Sequence, residues 1–193
     1  MRSTFKIFIF FCISLLVFSC KTDPKTNTEE APVVDPLTQQ KAALENPCNF
    51  MDEAFVSSVV DIPAQDVSIK SGGDGSTVPA KSCFFKWQGG EVANAGLMVQ
   101  VLGNPIPDEF PNWAFFFIDN KKARGEMTME EPDVPHKFTT IDIAEQACYN
   151  HKLGKCYFRK GDKVYLIAVN GISDDGRKIE VYRKVSDKIL SMI

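Results

Sequence analysis

Cysteine and histidine are the residue types in this 193-residue chain that have the most specific chemistry. The chain has six cysteines and two histidines. They are Cys12, Cys20, Cys48, Cys83, Cys148, Cys156, His136 and His151. Cysteines form disulfides, act as nucleophiles or bind metals, and the last two roles generally need a nearby histidine or a close second cysteine. No Cys-x-x-Cys motif occurs and histidines are few, so we expect structural disulfides and no metal site.

The N-terminal residues have the pattern of an export signal. Arg2 and Lys6 precede an almost wholly apolar run over residues 7–18, which is too short to span a bilayer. The run ends in Leu-Val-Phe-Ser-Cys20, which resembles the lipobox of bacterial lipoproteins. This resemblance implies that signal peptidase II removes residues 1–19 and that Cys20 carries a diacylglyceryl thioether and an N-acyl chain. The alternative is an ordinary cleaved signal peptide with an incidental cysteine.

The residue after the lipobox bears on location. An aspartate directly after the cysteine is the inner-membrane retention signal of enterobacterial lipoproteins, whereas Lys21 follows Cys20 here. We therefore expect a protein anchored in the outer membrane by its lipid, on either the periplasmic leaflet or the surface. Through the anchor, its first partner would be the membrane itself.

Composition divides the rest of the chain into a spacer and one domain. Residues 20–40 hold the lipidated cysteine and a polar segment with three prolines, which predicts a flexible tether. Residues 41–193 are long enough for a single globular domain with its own core. The formal charge of −3 and pI near 5.5 give no basic surface for nucleic acid.

The four cysteines of this domain can pair in three ways, and we predict Cys48–Cys83 and Cys148–Cys156. The second pair brackets residues 149–155, in which Lys-Leu-Gly154 is typical of a hairpin turn. Cys148 and Cys156 are equally spaced about residue 152, so we expect them to face each other across two strands.

Hydrophobic periodicity predicts an α+β fold, with an antiparallel sheet of about five to seven strands and three helices packed on it. The helices are expected from an entry at Pro47-Cys48-Asn49 to Ile62, from Asp108 to just before Gly125, and from Ser173-Asp174 to near the C-terminus. The strands are expected at residues 67–70, 83–88, 97–102, 146–151, 155–159 and 163–170.

Pro47-Cys48 before a short helix, followed later by Cys83-Phe-Phe-Lys-Trp87, is a pattern of exported proteins. It is similar to a family of small bacterial lipoproteins of unknown function, best known from actinobacteria. The resemblance covers residues 47–193, and Cys148 and Cys156 are additional to it. It implies the disulfide Cys48–Cys83 and an α+β layout, and it implies no activity.

Two loops have some features of ligand sites. Residues 75–82 approach the phosphate-binding pattern G-x-x-x-x-G-K-[ST], but Ala80 replaces the second glycine and a strand is expected to follow. Asp74 and residues 170–176 could offer oxygens to calcium, but their spacing does not fit an EF-hand, and Asp174 is expected to cap the last helix. We expect no cofactor.

Phe115, Phe116 and Phe117 are consecutive on the expected second helix, so they cannot all lie on its buried face. Phe115 and Phe116 are the candidate binding residues, because exposed apolar patches tend to be binding sites. We expect a non-catalytic, lipid-anchored envelope protein that binds a protein or an apolar ligand. The alternatives are an envelope enzyme, such as a hydrolase with an unrecognised site, and a structural lipoprotein without any small-molecule site.

Overall fold

The computed structural model describes residues 35–72, 78–88 and 95–193. The predicted lipobox with Cys20 and most of the predicted tether lie outside these residues. The described part is α+β, as predicted, with four α-helices and one seven-stranded antiparallel sheet. The helices are α1 (Pro36–Ala42), α2 (Glu53–Val60), α3 (Trp113–Arg124) and α4 (Asp175–Leu190).

The sheet has the strand order β1-β2-β3-β7-β6-β5-β4, with every neighbouring pair antiparallel. The strands are β1 (Val67–Gly72), β2 (Ala80–Trp87), β3 (Gly96–Leu102), β4 (Thr139–Thr140), β5 (Gln146–Asn150), β6 (Lys155–Lys160) and β7 (Lys163–Asn170). The second half of the chain therefore adds β7 beside β3, and its remaining strands extend the sheet outward.

The central strand β7 shows why both faces of the sheet are covered. Side chains alternate between the faces of a strand, and β7 is apolar on both. Tyr165, Ile167 and Val169 lie in the larger core, on what we call the first face, beneath α2 and α4. Val164 and Leu166 lie in a smaller core on the second face, beneath α3. A strand buried on both faces reads as a continuous apolar run, which is what residues 163–170 show.

An N-capping aspartate determines where each of the two helices on the first face begins. Asp52 accepts a hydrogen bond from the Phe55 amide at 2.8 Å and begins α2. Asp174 accepts one from the Arg177 amide at 2.7 Å and begins α4, as its position in the sequence predicted. The fourth helix, α1, begins at Pro36, inside the range predicted as tether.

The disulfide Cys48–Cys83 is present, with a Cα–Cα distance of 5.0 Å. It ties the 3₁₀ turn Pro47–Asn49 to the middle of β2, within the larger core. Closing a loop of this length stabilises a fold by about 4 kcal/mol in the chain-entropy view. This part of the disulfide prediction is confirmed.

The predicted disulfide Cys148–Cys156 is wrong, because both thiols are free and buried. In the β5–β6 hairpin, Cys148 is opposite Tyr157 and Cys156 is opposite Tyr149. The turn is thus centred half a residue later than the expected position 152. Since neighbouring positions of a strand point to opposite faces, Cys156 lies in the first-face core and Cys148 in the second-face core.

Candidate functional site

Helix α3 carries the candidate binding residues, and the turns before it set where it begins. Asn104 is buried, donates to the Phe110 carbonyl at 2.7 Å and accepts from the Ile106 amide at 2.9 Å. These bonds hold residues 106–110 in a turn, so the helix begins at Trp113 and not at Asp108 as predicted. It ends before Gly125, as predicted, because that glycine has a φ of 81°, which L side chains rarely adopt.

The helix places one pair of side chains in the core and another in solvent. Ala114 and Ile118 are buried in the second-face core. Phe115 and Phe116 are 42% and 49% exposed. The expectation that three consecutive phenylalanines cannot share one buried face therefore agrees with the structure, in which only Phe117 turns partly inward.

The aromatic side chains of this region contact one another in two groups. Phe116 stacks on Phe110 with ring centroids 5.2 Å apart and meets Phe115 edge-on at 5.3 Å. Trp113 packs against Phe117 at 5.1 Å. We call these five side chains the aromatic surface. Pairs of this geometry are favourable beyond their buried area, so the exposed rings are held in fixed positions.

A groove of about 500 Å³ opens beside the aromatic surface. Four of its rings line the groove, and the outer side of α3 adds Asn120, Ala123 and Arg124. A helix that began at Asp108 would carry Phe110, Trp113 and Phe117 in one buried stripe, whereas each is only half-buried here. The missed signal is the turn at residues 106–110, after which the ring of Phe110 stacks on Phe116.

Charged groups near the groove differ in whether they have partners. Asp119 accepts from the Gln146 side chain at 2.8 Å and pairs with Lys122 at 2.6 Å, so it is already engaged. In the described ranges Arg124 is exposed and makes no ion pair. Asp108 and Glu109, in the turn before the helix, are likewise exposed and unpaired among the described residues.

A cluster of four polar groups lies at the other end of α3. Glu126 pairs with Lys121 at 2.8 Å and with Lys155, and it accepts from the Tyr157 hydroxyl at 3.0 Å. Burial alone would raise the pKa of Glu126, but the two lysines outweigh it and hold the pKa at about 2. Because every member of the cluster is satisfied, it anchors the segment after α3 to the sheet. The sequence gives no signal for it, since Lys155 is 29 residues from Glu126.

Neither histidine contacts a thiol among the described residues. The buried His136 has its Nε2 at 2.8 Å from Glu131 Oε2. The exposed His151 has its Nδ1 at 3.9 Å from Asp175. Neither contact joins a histidine to a serine or cysteine nucleophile, which is what a triad requires.

The two free thiols are expected to be unreactive. Burial raises the pKa of Cys148 to about 12 and raises the pKa of Cys156 as well. Since the thiolate is the reactive form, both side chains act as small apolar groups at neutral pH.

The described residues of the two candidate ligand loops have structural roles. Residues 73–77 lie outside the described residues, but Lys81 and Ser82 stand on β2 rather than on a helix. Lys81 donates to the carbonyls of Ala42 and Leu44 and so ties the start of the domain to the sheet. Across the described ranges no group of three or more histidine, cysteine or acidic side chains could hold a metal ion.

Comparisons with known proteins give no significant match for this chain, whether to a family model, a curated protein or a solved structure. None of the described helices is both long enough and apolar enough to cross a membrane.

Proposed function

We propose that this protein is a non-catalytic, lipid-anchored module of the cell envelope that binds a protein or an apolar ligand through the aromatic surface. The observation that carries the proposal is the exposure of Phe115 and Phe116 beside the groove. Burying a phenylalanine side chain stabilises a protein by about 1.5–3 kcal/mol, and this gain is partly forgone at two adjacent positions. Binding a partner there would recover it.

The nature of the side chains supports a binding role over a chance exposure. Aromatic residues, phenylalanine among them, are enriched in the buried cores of protein interfaces relative to the rest of the surface. The rings of Phe110, Phe115 and Phe116 are already ordered by their mutual contacts. A partner would therefore meet a preorganised surface.

The envelope location rests on two features of the chain. The lipobox resemblance supports a lipid anchor at Cys20, with residues 21–34 between it and the described domain. The disulfide Cys48–Cys83 supports an oxidising compartment, since disulfides are rare in reducing ones. The hydrolase alternative would need a base beside a nucleophile, and the described histidines contact Glu131 and Asp175 instead.

The anchor is tested by metabolic labelling with a palmitate analogue. We expect the full-length chain to be labelled and the Cys20→Ala variant to be unlabelled and to accumulate uncleaved. An equally labelled variant, or a wild-type protein whose mature N-terminus lies elsewhere, would overturn the lipid anchor.

The binding role is tested with a photo-crosslinking amino acid at position 116 in intact cells. Val134 is the matched control, because it is a similarly exposed apolar residue in the loop after α3. We expect crosslinked products from position 116 that position 134 does not give. Identical crosslinking at the two positions, or none at either, would contradict the proposal.

A further inference from the structure

The second face of the sheet contains a pocket of about 250 Å³ between β2 and the β5–β6 turn. Helix α3 packs mainly on β5, β6 and β7, and further along this face the side chains of Phe84, Met98 and Ala168 are only partly buried. These three positions are opposite one another on β2, β3 and β7, so they form one row across the sheet. We call the space above them the sheet pocket, whose lining includes Phe84, Lys86, Gly96, Met98, Leu153 and Ala168.

Two glycines open the sheet pocket. Gly96 lies between Lys86 on β2 and Asn170 on β7, so the row next to Met98 has no side chain at its centre. Gly72 on β1 leaves space for the Phe84 ring, because a Cβ built at Gly72 would lie 2.3 Å from Phe84 Cε2. The ring therefore extends over β1, and the space above Met98 and Gly96 is open.

The shape and lining of the sheet pocket suit one hydrocarbon chain. Its interior is formed by the thioether of Met98, the methyl group of Ala168 and the apolar side chains of Leu153 and Phe84. Neighbouring strands are about 4.8 Å apart, so β2 and β7 leave a width of roughly 10 Å above β3. Pockets for drug-sized ligands have volumes of about 300–1,000 Å³, and this pocket is slightly smaller. It therefore favours a slender ligand.

Two lysines without partners give the sheet pocket a positive rim. Lys86 lines the pocket, and Lys70 on β1 is opposite Phe84 on the same face. Both are exposed, and within the described ranges neither side chain forms an ion pair or a hydrogen bond. Among the described residues that line the pocket there is no carboxylate. An anionic group at the rim would therefore be attracted by both lysines and repelled by no lining residue.

We propose that the sheet pocket binds a fatty acid, with the acyl chain on Met98 and Ala168 and the carboxylate at Lys86. One lysine lines the pocket, which matches the single charge of a carboxylate. Burial of the chain supplies most of the affinity, and the lysine supplies the preference for an anionic head group. This site goes beyond the proposed function, because the sheet pocket shares no lining residue with the groove beside the aromatic surface.

Methyl NMR of the methionines tests the acyl-chain site. The full-length chain is placed in phosphatidylcholine nanodiscs, because a detergent would compete for the pocket, and decanoate is the probe. We expect the Met98 methyl resonance to shift saturably with decanoate. Met129 is 95% exposed and reports non-specific binding, so its resonance should not shift. A Met98 resonance that does not respond, or that shifts only together with Met129, would overturn the inference.

Charge reversal tests the head group. Lys86→Glu should weaken decanoate binding at least about fivefold, and it should strengthen the binding of decyltrimethylammonium, a cationic amphiphile with the same chain length. Lys137→Glu is the matched control, since Lys137 is also exposed and unpaired in the described chain but does not line the pocket. It should leave both affinities unchanged. Equal decanoate affinities of Lys86→Glu and the wild type would exclude a carboxylate at Lys86.

Filling the sheet pocket tests where the chain binds. Ala168→Leu adds three carbons to the floor of the pocket, and we expect it to abolish the saturable shift of Met98. Ala54→Leu is the control, because Ala54 is exposed on α2, which covers the first face of the sheet. Circular dichroism checks that both variants fold, and Lys86→Glu, at an exposed position, keeps the site testable if Ala168→Leu does not. Undiminished binding by a folded Ala168→Leu variant would overturn the site.

Discussion

The Tyr157 hydroxyl donates to Glu126 Oε2 at 3.0 Å, which joins the strand beneath α3 to the segment that leaves it. Lys121 also contacts both partners, pairing with Glu126 and lying 4.9 Å from the centre of the Tyr157 ring. The cluster therefore fixes the end of α3 at which the helix turns back toward the sheet. Its strength should be measurable through pH, because the cluster lowers the pKa of Glu126.

Acid should destabilise the protein through Glu126. The pKa of this carboxyl is about 2 in the fold against an ordinary value of 4.5. A depressed pKa stabilises the fold above pH 4.5, and this stabilisation is lost as the pH falls from 4.5 toward 2. We expect a loss of about 2 kcal/mol in the free energy of unfolding over that range, allowing for partial solvent screening.

The measurement is urea unfolding at pH 7 and at a series of lower pH values. Glu126→Gln should unfold more easily at pH 7 and lose less stability than the wild type on acidification. Glu109→Gln is the control, since Glu109 is exposed and unpaired in the described chain. A Glu126→Gln profile parallel to that of the wild type would show that the cluster does not stabilise the fold.

Cys148 and Cys156 should both be recovered as free thiols. Because they lie on opposite faces of the sheet, a bond between them would require the β5–β6 register to shift by one residue. We expect alkylation in denaturant without reductant to label both, and to leave Cys48 and Cys83 unlabelled. Peptide mass spectrometry reads this directly, and a peptide linking Cys148 to Cys156 would contradict the observed register.

Strands β5, β6 and β7 show which features of the sheet the sequence predicts and which it does not. The run at residues 163–170 predicted strand β7 to the residue, because a strand buried on both faces is apolar throughout. The register between β5 and β6 depends instead on the turn of residues 151–154. The amino-acid composition of that turn does not determine its geometry. A shift of half a residue in its centre was enough to separate the two cysteines.

The candidate site was predictable to a similar extent. The exposure of Phe115 and Phe116 follows from helix periodicity, and their positions were anticipated on that basis. The groove was not, because it depends on the turn that the buried Asn104 holds eight residues before Asn112. Long-range contacts, such as the ion pair between Lys155 and Glu126, cannot be predicted from local sequence.

Two substitutions on α3 should differ in their effect on the free energy of unfolding, because one changes an exposed residue and the other a buried one. Phe116→Ser replaces a half-exposed ring, and we expect it to change the free energy of unfolding by about 1 kcal/mol or less. Ile118→Ala removes a fully buried side chain, and we expect a loss of about 2–4 kcal/mol. Urea unfolding of both variants checks this, and a Phe116→Ser variant as unstable as Ile118→Ala would place Phe116 in the core.

A last prediction concerns the turn of the β5–β6 hairpin. Gly154 has a φ of 62°, and a Cβ built there would lie 2.3 Å from the Val169 carbonyl oxygen. The Gly154 carbonyl also accepts from the Val169 amide at 2.8 Å, so the turn cannot move away without losing that bond. Gly161 has nearly the same φ, 61°, but nothing lies within 4 Å of its Cβ position.

Alanine at these two glycines isolates the clash from the backbone strain. We expect Gly161→Ala to cost about 1 kcal/mol, the strain of a positive φ alone. Gly154→Ala carries the same strain and must also displace β7 backbone, so we expect a loss of about 3 kcal/mol or more. Thermal and urea unfolding of the pair measures the difference. Equal losses would mean that the hairpin turn does not contact the end of β7 in solution.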